Sequence, residues 1–586
     1  MVRTFAERYF SKLIFGIWLL LSAALIISSW ANIRAGVGWD PDDQLRLVQL
    51  RDFLNGQSWF DNNQYRLNPP DGAPMHWSRL VELPLAAVVI CLKPLFGQAV
   101  AEIVAATIVP LLLYGGIILL LAWTALHVGK QKAGIAAAII AAMSVPLVSQ
   151  LRPMRIDHHG WQIFMAVTAL ASLFHANARN AGIVLGMVLA VWLHISLEGA
   201  PMSAAFFLFL GWQWLVRSQD TRRLFWTIAA FAMASLALFL GTQAQGLGAP
   251  IYCDTVSPPH IWAVLSATAI MLPCLIGAPQ RHLLRALAML SAAGAAILVI
   301  ALRAPECMKG AFGTLDPLVH DYWFVYVKEG MPIWYQSGST AAALLAGPIV
   351  GLFSSLYLAR IATGHDRDKM ITLSFFCCYA LTLSLLVFRT VSVASAYAVA
   401  PAAALIAHLF VQYQKEGAAP RRILGVAAML FLVVPGALVN SFIHLWPTER
   451  ALHVTQRPKD PDICESAQSV DALGALPAGQ FIAPFDMAPM ILARTGHSVL
   501  ASSHHRNERA MHDHIMVFRS PPAISHQLLI KRGIDYVAVC SDEEELANYV
   551  ARDPRGLWAQ IARGEVPDWL EPLPVMGKGI QVWRVP

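Results

Sequence analysis

Runs of mostly apolar residues recur along the chain, many close to the roughly 20 residues a helix needs to cross the hydrocarbon core of a bilayer. They lie at 13–34, 101–126, 133–149, 160–176, 181–197, 201–215, 224–246, 260–277, 284–302, 339–359, 370–388, 391–413 and 423–445. Thirteen crossings are therefore expected. A further stretch, Leu83 to Leu92, holds only ten residues between Glu82 and Lys93. It is short for a crossing and suits an interfacial or re-entrant helix. The first run is too long for the core of a signal peptide and leads into Arg34 without a small-residue cleavage site, so it is expected to remain as the first span.

After about residue 446 the pattern changes. Charged, helix-like stretches such as Asp542 to Arg552 alternate with short apolar pieces such as Tyr536 to Val539 and Gly579 to Trp583, a mixture that predicts a small soluble α/β domain. The expected fold class is mainly α: a polytopic membrane domain over 1–446 and a separate domain over 447–586. No internal repeat or low-complexity segment stands out. Composition agrees, because 56% hydrophobic and 14% charged residues in a chain of 586 leave too little polar surface to clothe a soluble body of that size.

Charge sets the orientation. Basic residues fall at Arg3/Arg8/Lys12, Lys130/Lys132, Arg179, Arg217/Arg222/Arg223, Arg281/Arg285, Arg360/Arg367/Lys369 and Lys415/Arg421/Arg422, the positions of alternate loops. By the positive-inside rule these loops and the N-terminus are cytoplasmic. The loops 35–100, 150–159, 247–259 and 303–338 then lie outside with the C-terminal domain, in a bacterial plasma (inner) membrane. A net charge of +6 spread thinly over short loops is not the basic stripe with interleaved aromatics that nucleic acid requires, and nucleic acid is excluded as a partner.

The outer loops carry the chemistry. The first contains Gly38-Trp39-Asp40-Pro41-Asp42-Asp43-Gln44-Leu45-Arg46, three carboxylates within four residues. Such crowding is relieved by a cation or by solvent, and hard oxygen ligands suit Mg²⁺ or Mn²⁺; the alternative is helix capping by Asp40 or Asp42. In the second, Arg152-Pro153-Met154-Arg155-Ile156-Asp157-His158-His159-Gly160, Asp157 and His159 are two apart and share a side of an extended loop. Carboxylate plus imidazole favours Mn²⁺ or a similar metal, against an N-cap role for Asp157. The loop 303–338 holds Val327-Lys328-Glu329-Gly330-Met331-Pro332-Ile333-Trp334, with Glu329 beside a Gly/Pro turn. Arg389, at the outer end of a span, can meet a phosphate or serve as a snorkelling anchor. His194 and Glu198, one helical turn apart near the outer end of the fifth span, form an ionisable pair of the kind that marks function in a membrane or satisfies itself. Of the eight cysteines, Cys253 and Cys307 fall in outer loops and Cys464 and Cys540 in the tail. Disulfides 253–307 and 464–540 and four unpaired thiols are equally compatible with that spacing, which is not that of a zinc site.

These loops resemble those of the oligosaccharyltransferase catalytic subunit, of the archaeal AglB and bacterial PglB kind, within the GT-C glycosyltransferases. Asp40-Pro41 with Arg46, followed by Asn68-Pro69-Pro70-Asp71-Gly72-Ala73-Pro74, is similar to that family's first acidic motif and the loop behind it. Asp157-His158-His159 is similar to the second acidic motif, and Val327-Lys328-Glu329 to the glutamate motif. The resemblance implies Asp40, Asp157 and His159 as ligands of a divalent metal, Mn²⁺ or Mg²⁺, with Asp40 and Glu329 catalytic and Arg389 on the donor phosphate. The family's sequon-reading Trp-Trp-Asp-Tyr-Gly is missing. Pro484-Phe485-Asp486-Met487-Ala488 stands in its place, followed by Ser502-Ser503-His504-His505. Without the indole and phenol donors, discrimination for Asn-X-Ser/Thr peptides should be lost. Asp486, His504, His505, His194 and Glu198 are then the acceptor-side candidates.

The expected function is transfer of sugar from a polyprenyl-phosphate or polyprenyl-diphosphate donor, at the outer face of the bilayer, to an acceptor that is not a sequon peptide. One alternative is modification of a membrane glycolipid or polysaccharide from a monophosphate lipid donor. The alternative from another class, a lipid-linked sugar flippase or transporter, predicts charges near the bilayer midplane, whereas these acids cluster at span ends.

Overall fold

A computed structural model describes residues 5–217, 221–277, 279–414, 419–445, 466–540, 544–574 and 579–586. Among them, ten helices are long and apolar enough to cross a membrane, or eleven if the pair Ala419–Val433 and Pro435–Ile443, bent by 95°, is one span. Two local features separate this from the expected thirteen. The run 101–126 and most of the run 133–149 fall within one helical segment, Gln98–Met143, that breaks at Gly129 and Lys130 (φ −135° and 62°). Its two arms double back on each other, and the Tyr114 hydroxyl donates to the Ala141 carbonyl between them at 2.7 Å. The run at 160–176 yields only the 14-residue helix His159–Ser172, which stops before the polar segment His175-Ala176-Asn177. The bend in the last span falls at Pro435, which cannot donate the backbone hydrogen bond that would carry the helix on. Glu82–Phe96 forms a 15-residue helix that packs on Gln98–Met143 and is too short to span.

The tail builds a five-stranded sheet in the order Ser498–Val499, Gln480–Ile482, Tyr536–Cys540, Ile580–Arg584, Glu571–Pro572. The first two pairings are parallel and the last two antiparallel. The pieces expected as strands, near 536–539 and 579–583, are neighbours, with Val537 opposite Trp583. The helix expected over 542–552 is Glu544–Arg552.

The first outer loop is part of this domain's core. Leu45, Val48, Leu67, Ala73, Met75 and Trp77 are buried together with Phe481, Met487, Ile491 and Val499. The backbone of 66–68 lies along the sheet edge: Asn68 donates to Val499 O at 2.8 Å and Val499 to Arg66 O at 2.9 Å. The helix Ala488–Arg494 ends in carbonyls that have no partner within it, and arginines of the first loop supply one. Arg51 donates to Ala493 O, and Arg66 to Leu492 O, Thr495 O and His497 O at 2.5, 2.9 and 3.2 Å. Cys253 and Cys307 are joined by a disulfide. Cys540 is disulfide-bonded as well; Cys464, its expected partner, lies outside the described residues.

Candidate active site

Asp40 caps the helix Pro41–Leu54, its Oδ1 accepting from Asp42 N at 3.0 Å with Pro41 in the first turn, where its fixed φ suits a helix start. That leaves Oδ2, which lies 3.2 Å from Arg155 Nη1. The same turn buries Asp43. Its carboxylate accepts from Trp39 N at 3.0 Å, Ile156 N at 2.9 Å, Asp157 N at 3.0 Å and Arg155 Nη1 at 3.1 Å. Arg152 stacks 3.2 Å above the Trp39 ring, and Trp39 Nε1 donates to Pro153 O at 2.8 Å. The first and second acidic loops are thus one rigid unit.

Within that unit Asp157 does not cap the helix that follows. Its Oδ1 accepts from His158 Nδ1 at 2.6 Å. Its Oδ2 is buried without a hydrogen-bond partner and lies 3.3 Å from His159 Nε2. Burial alone would raise Asp157, but His158, His159 and Arg155 outweigh it and hold this acid well below the usual carboxylate range. His158, although buried, is held protonated up to about 9 by Asp157. Burial, reinforced by Asp40 and Asp157, lifts Asp42 well above that range. Asp157, His158 and His159 offer ligand atoms within 4.8 Å of one another. Asp40 stands outside that group, across the guanidinium of Arg155.

A cavity of about 490 Å³ opens above this unit. Asp40, Asp42, His158 and His159 line one side, Glu198, Glu329 and Arg389 a second, and Asp486, His504 and His505 the side formed by the tail, with an aromatic wall of Phe312, Tyr322, Trp323, Phe324 and Tyr326. Arg389 Nη1 bonds Glu198 Oε1 at 2.5 Å and its Nη2 lies 3.5 Å from Glu329 Oε1, while its Nε is buried without a partner. The turn carrying Glu329 is tied to that of Arg389 by Phe388 N to Met331 O, 3.1 Å. Gln162 Nε2 donates to the other Glu198 oxygen at 3.2 Å.

The expected pairing of His194 with Glu198 does not form. The helix ends at Ile195 and Ser196 is extended (φ −158°, ψ 127°), so the two side chains part. Glu198 enters the cavity, while His194 bonds Ala190 O at 2.8 Å and borders a neighbouring cavity with Trp59 and Arg506.

Asp43 and Arg155, although both stood in the quoted loops, were not singled out as site residues from the sequence, nor were His76, Asp254 and Arg506. A signal for Asp254 was its place beside Cys253. Asp254 takes Arg506 on both oxygens, at 2.7 and 2.8 Å, and His505 Nε2 at 2.7 Å. Burial opposes its charge, but those hydrogen bonds prevail and keep Asp254 far below the ordinary carboxylate range.

No family model matches the sequence, nor does any curated protein. Among solved structures, the chain is similar to the archaeal oligosaccharyltransferase AglB from Archaeoglobus fulgidus. Against the complex with an inhibitory peptide and a dolichol-phosphate, identity is 14% and TM-score 0.65, over 97% of this chain and 73% of that one. The apo form gives 14% and 0.64, over 97% and 74%. The complex with Zn and sulfate gives 15% and 0.58, over 98% and 73%. The chain therefore has the GT-C fold, the fold of the archaeal oligosaccharyltransferase.

Proposed function

We propose that this protein is a membrane glycosyltransferase that takes sugar from a polyprenyl-phosphate or polyprenyl-diphosphate donor in the cavity above Asp157. The observation that carries the reading is convergence. Residues from five stretches, near 40, 158, 198, 329 and 389, line one cavity, where Arg389 offers a cationic partner for a phosphate leaving group. The fold supports it, since the archaeal enzyme was solved with a dolichol-phosphate and an inhibitory peptide. The basic loops gather at other places: Lys369 Nζ bonds His127 O at 2.9 Å and Lys132 lies 4.4 Å over Phe410. That separation supports an outer, non-cytoplasmic site by the positive-inside rule.

Asp157 and His159 would hold a divalent cation, Mn²⁺ or Mg²⁺, with Asp40 as a third ligand. The donor set fits: Asp157 Oδ2 is buried and unbonded, and its spacing from His159 Nε2 of 3.3 Å matches two ligands on one ion, about 3 Å for bonds near 2.1 Å. Held there, the cation would supply positive charge against a departing phosphate. His158 orients Asp157 by holding its other oxygen. Arg389, which lines the cavity, binds phosphate oxygens there. Glu329, across Arg389, accepts the proton of the attacking group. Asp42 lines the same cavity beside Asp40. Asp486, His504 and His505 face the acceptor. The sequon-reading Trp-Trp-Asp-Tyr-Gly is replaced by Pro484-Phe485-Asp486-Met487-Ala488, which supports a lipid or glycan acceptor over a peptide.

Purified protein in detergent, given lipid-linked sugar, should consume it only with Mn²⁺ or Mg²⁺ present. Asp40→Ala, Asp157→Ala and His159→Ala should each lower that turnover by at least about 100-fold. Unchanged turnover in all three would remove the enzyme assignment.

A further inference from the structure

On the far side of the cavity from Asp157, three imidazoles and a carboxylate meet from segments remote in sequence. His76 belongs to the first outer loop, Asp254 to the loop 247–259, and His504 and His505 to the C-terminal domain. The ring centroid of His76 lies 4.9 Å from that of His504 and 4.8 Å from that of His505. His76, Asp254 and His505 offer ligand atoms within 4.8 Å of one another.

From this arrangement we infer a second metal site, in which His76, Asp254 and His505 hold a Zn²⁺-class transition cation that ties the first and third outer loops to the C-terminal domain.

The chemistry of the donors selects the metal. Two imidazoles with one carboxylate oxygen suit Zn²⁺ and its borderline neighbours over Mg²⁺ or Ca²⁺, which want oxygen shells. Outer partners already hold the ligands as metal sites require. His76 Nδ1 is engaged by His504 Nε2 at 2.8 Å, which leaves His76 Nε2 for an ion. Asp254 is fixed by Arg506, whose guanidinium also reaches Met75 O at 3.2 Å and Thr255 Oγ1 at 2.8 Å and lies 3.9 Å over the Tyr252 ring. The disulfide from Cys253 to Cys307 holds the backbone next to Asp254. A second observation points the same way: His504, 2% exposed, has its Nδ1 buried with no hydrogen-bond partner. A crowd of imidazoles with a single carboxylate among them lacks the bases that protonated histidines would require, and a shared cation resolves that crowding. The open side faces the cavity, since His76 and His505 both line it, so the ion also sets the position of the acceptor wall.

The test separates this site from the one at Asp157. Full-length protein carrying Asp157→Asn and His159→Ala is stripped with chelator and titrated with Co²⁺. One Co²⁺ per chain should bind with the visible bands of a tetrahedral site. His505→Ala or His76→Ala added to that background should abolish it, while His526→Ala, at a histidine stacked on Trp569, should not. Zinc K-edge absorption on the double variant loaded with Zn²⁺ should show two imidazoles in the first shell, a readout that needs no further substitution. A double variant that binds no Co²⁺, binding that survives loss of both His76 and His505, or a zinc shell without histidine would each overturn the proposal.

Discussion

At the scale of the residue, the decisive side chain in the acidic cluster is Asp43. It is 2% exposed and accepts from three backbone N–H groups and Arg155. Ala at this position leaves those donors unpaired and the Arg155 charge short of a partner, a loss of roughly 3–5 kcal/mol for breaking a buried pair. Asp43→Asn keeps an acceptor for one pair of donors and turns its NH₂ toward the others, and should cost about half as much. Thermal unfolding of the two purified variants checks the order: Ala below Asn below wild type. A flat series would mean the two loops are held by other contacts. The sequence displayed this acid among three and offered no way to tell them apart, because three of the four partners of Asp43 lie 112 to 114 positions away. Its neighbour Asp40 takes the capping role that local sequence suggests, and the same carboxylate still faces Arg155. Capping and a role in the site therefore fall to different oxygens of one side chain.

At the scale of the element, periodicity located nearly every helix, and its failures have visible causes. A break at Gly129–Lys130 reverses the chain between the two runs that the pattern separates, inside one helical segment, and the short helix His159–Ser172 serves to carry His159 into the site. Short apolar pieces in the tail became strands because they pair with each other across the sheet, whereas the tail's dependence on the first loop was invisible, since it runs through backbone carbonyls. Arg66 makes that dependence testable. It bonds three carbonyls at the end of Ala488–Arg494 and in the turn that follows, and hydrogen bonds from a charged group contribute about 1.5–3 kcal/mol each. In Arg66→Ala, amide hydrogen exchange should quicken across 488–500, and much less in the strand Tyr536–Cys540, which lies further into the sheet. Uniformly faster exchange over the whole tail would show instead that Arg66 stabilises the domain itself, not its docking.

At the scale of the molecule, helices Pro258–Gly277 and His282–Arg303 are the least covered part of the body among the described spans beyond the first helix, with 22% and 17% of their apolar windows buried. Packing against the other helices is therefore a weak constraint on where their outer ends sit. Two other ties hold them. One is the disulfide, which joins the chain before the first helix to the chain after the second, 54 positions apart. The other is the Asp254 pair with Arg506. In the chain-entropy account a cross-link over a loop of this length contributes about 4 kcal/mol. Asp254, Phe312 and the segment Tyr322–Glu329 all follow from the position of those ends, so the link also shapes the aromatic wall of the cavity. Cys253→Ser with Cys307→Ser should lower the unfolding temperature, and reductant should lower that of the wild type by more than that of the variant, in which Cys540 remains disulfide-bonded. Because Asp40, Asp43, Asp157 and His159 are locked by contacts that do not involve this hairpin, cation binding at Asp157 should survive in the variant within about twofold, as expected for sites that share no partners. Turnover should fall, since the wall facing the acceptor moves. A variant that loses cation binding at Asp157 as completely as turnover would mean that the two sides of the cavity are not independent.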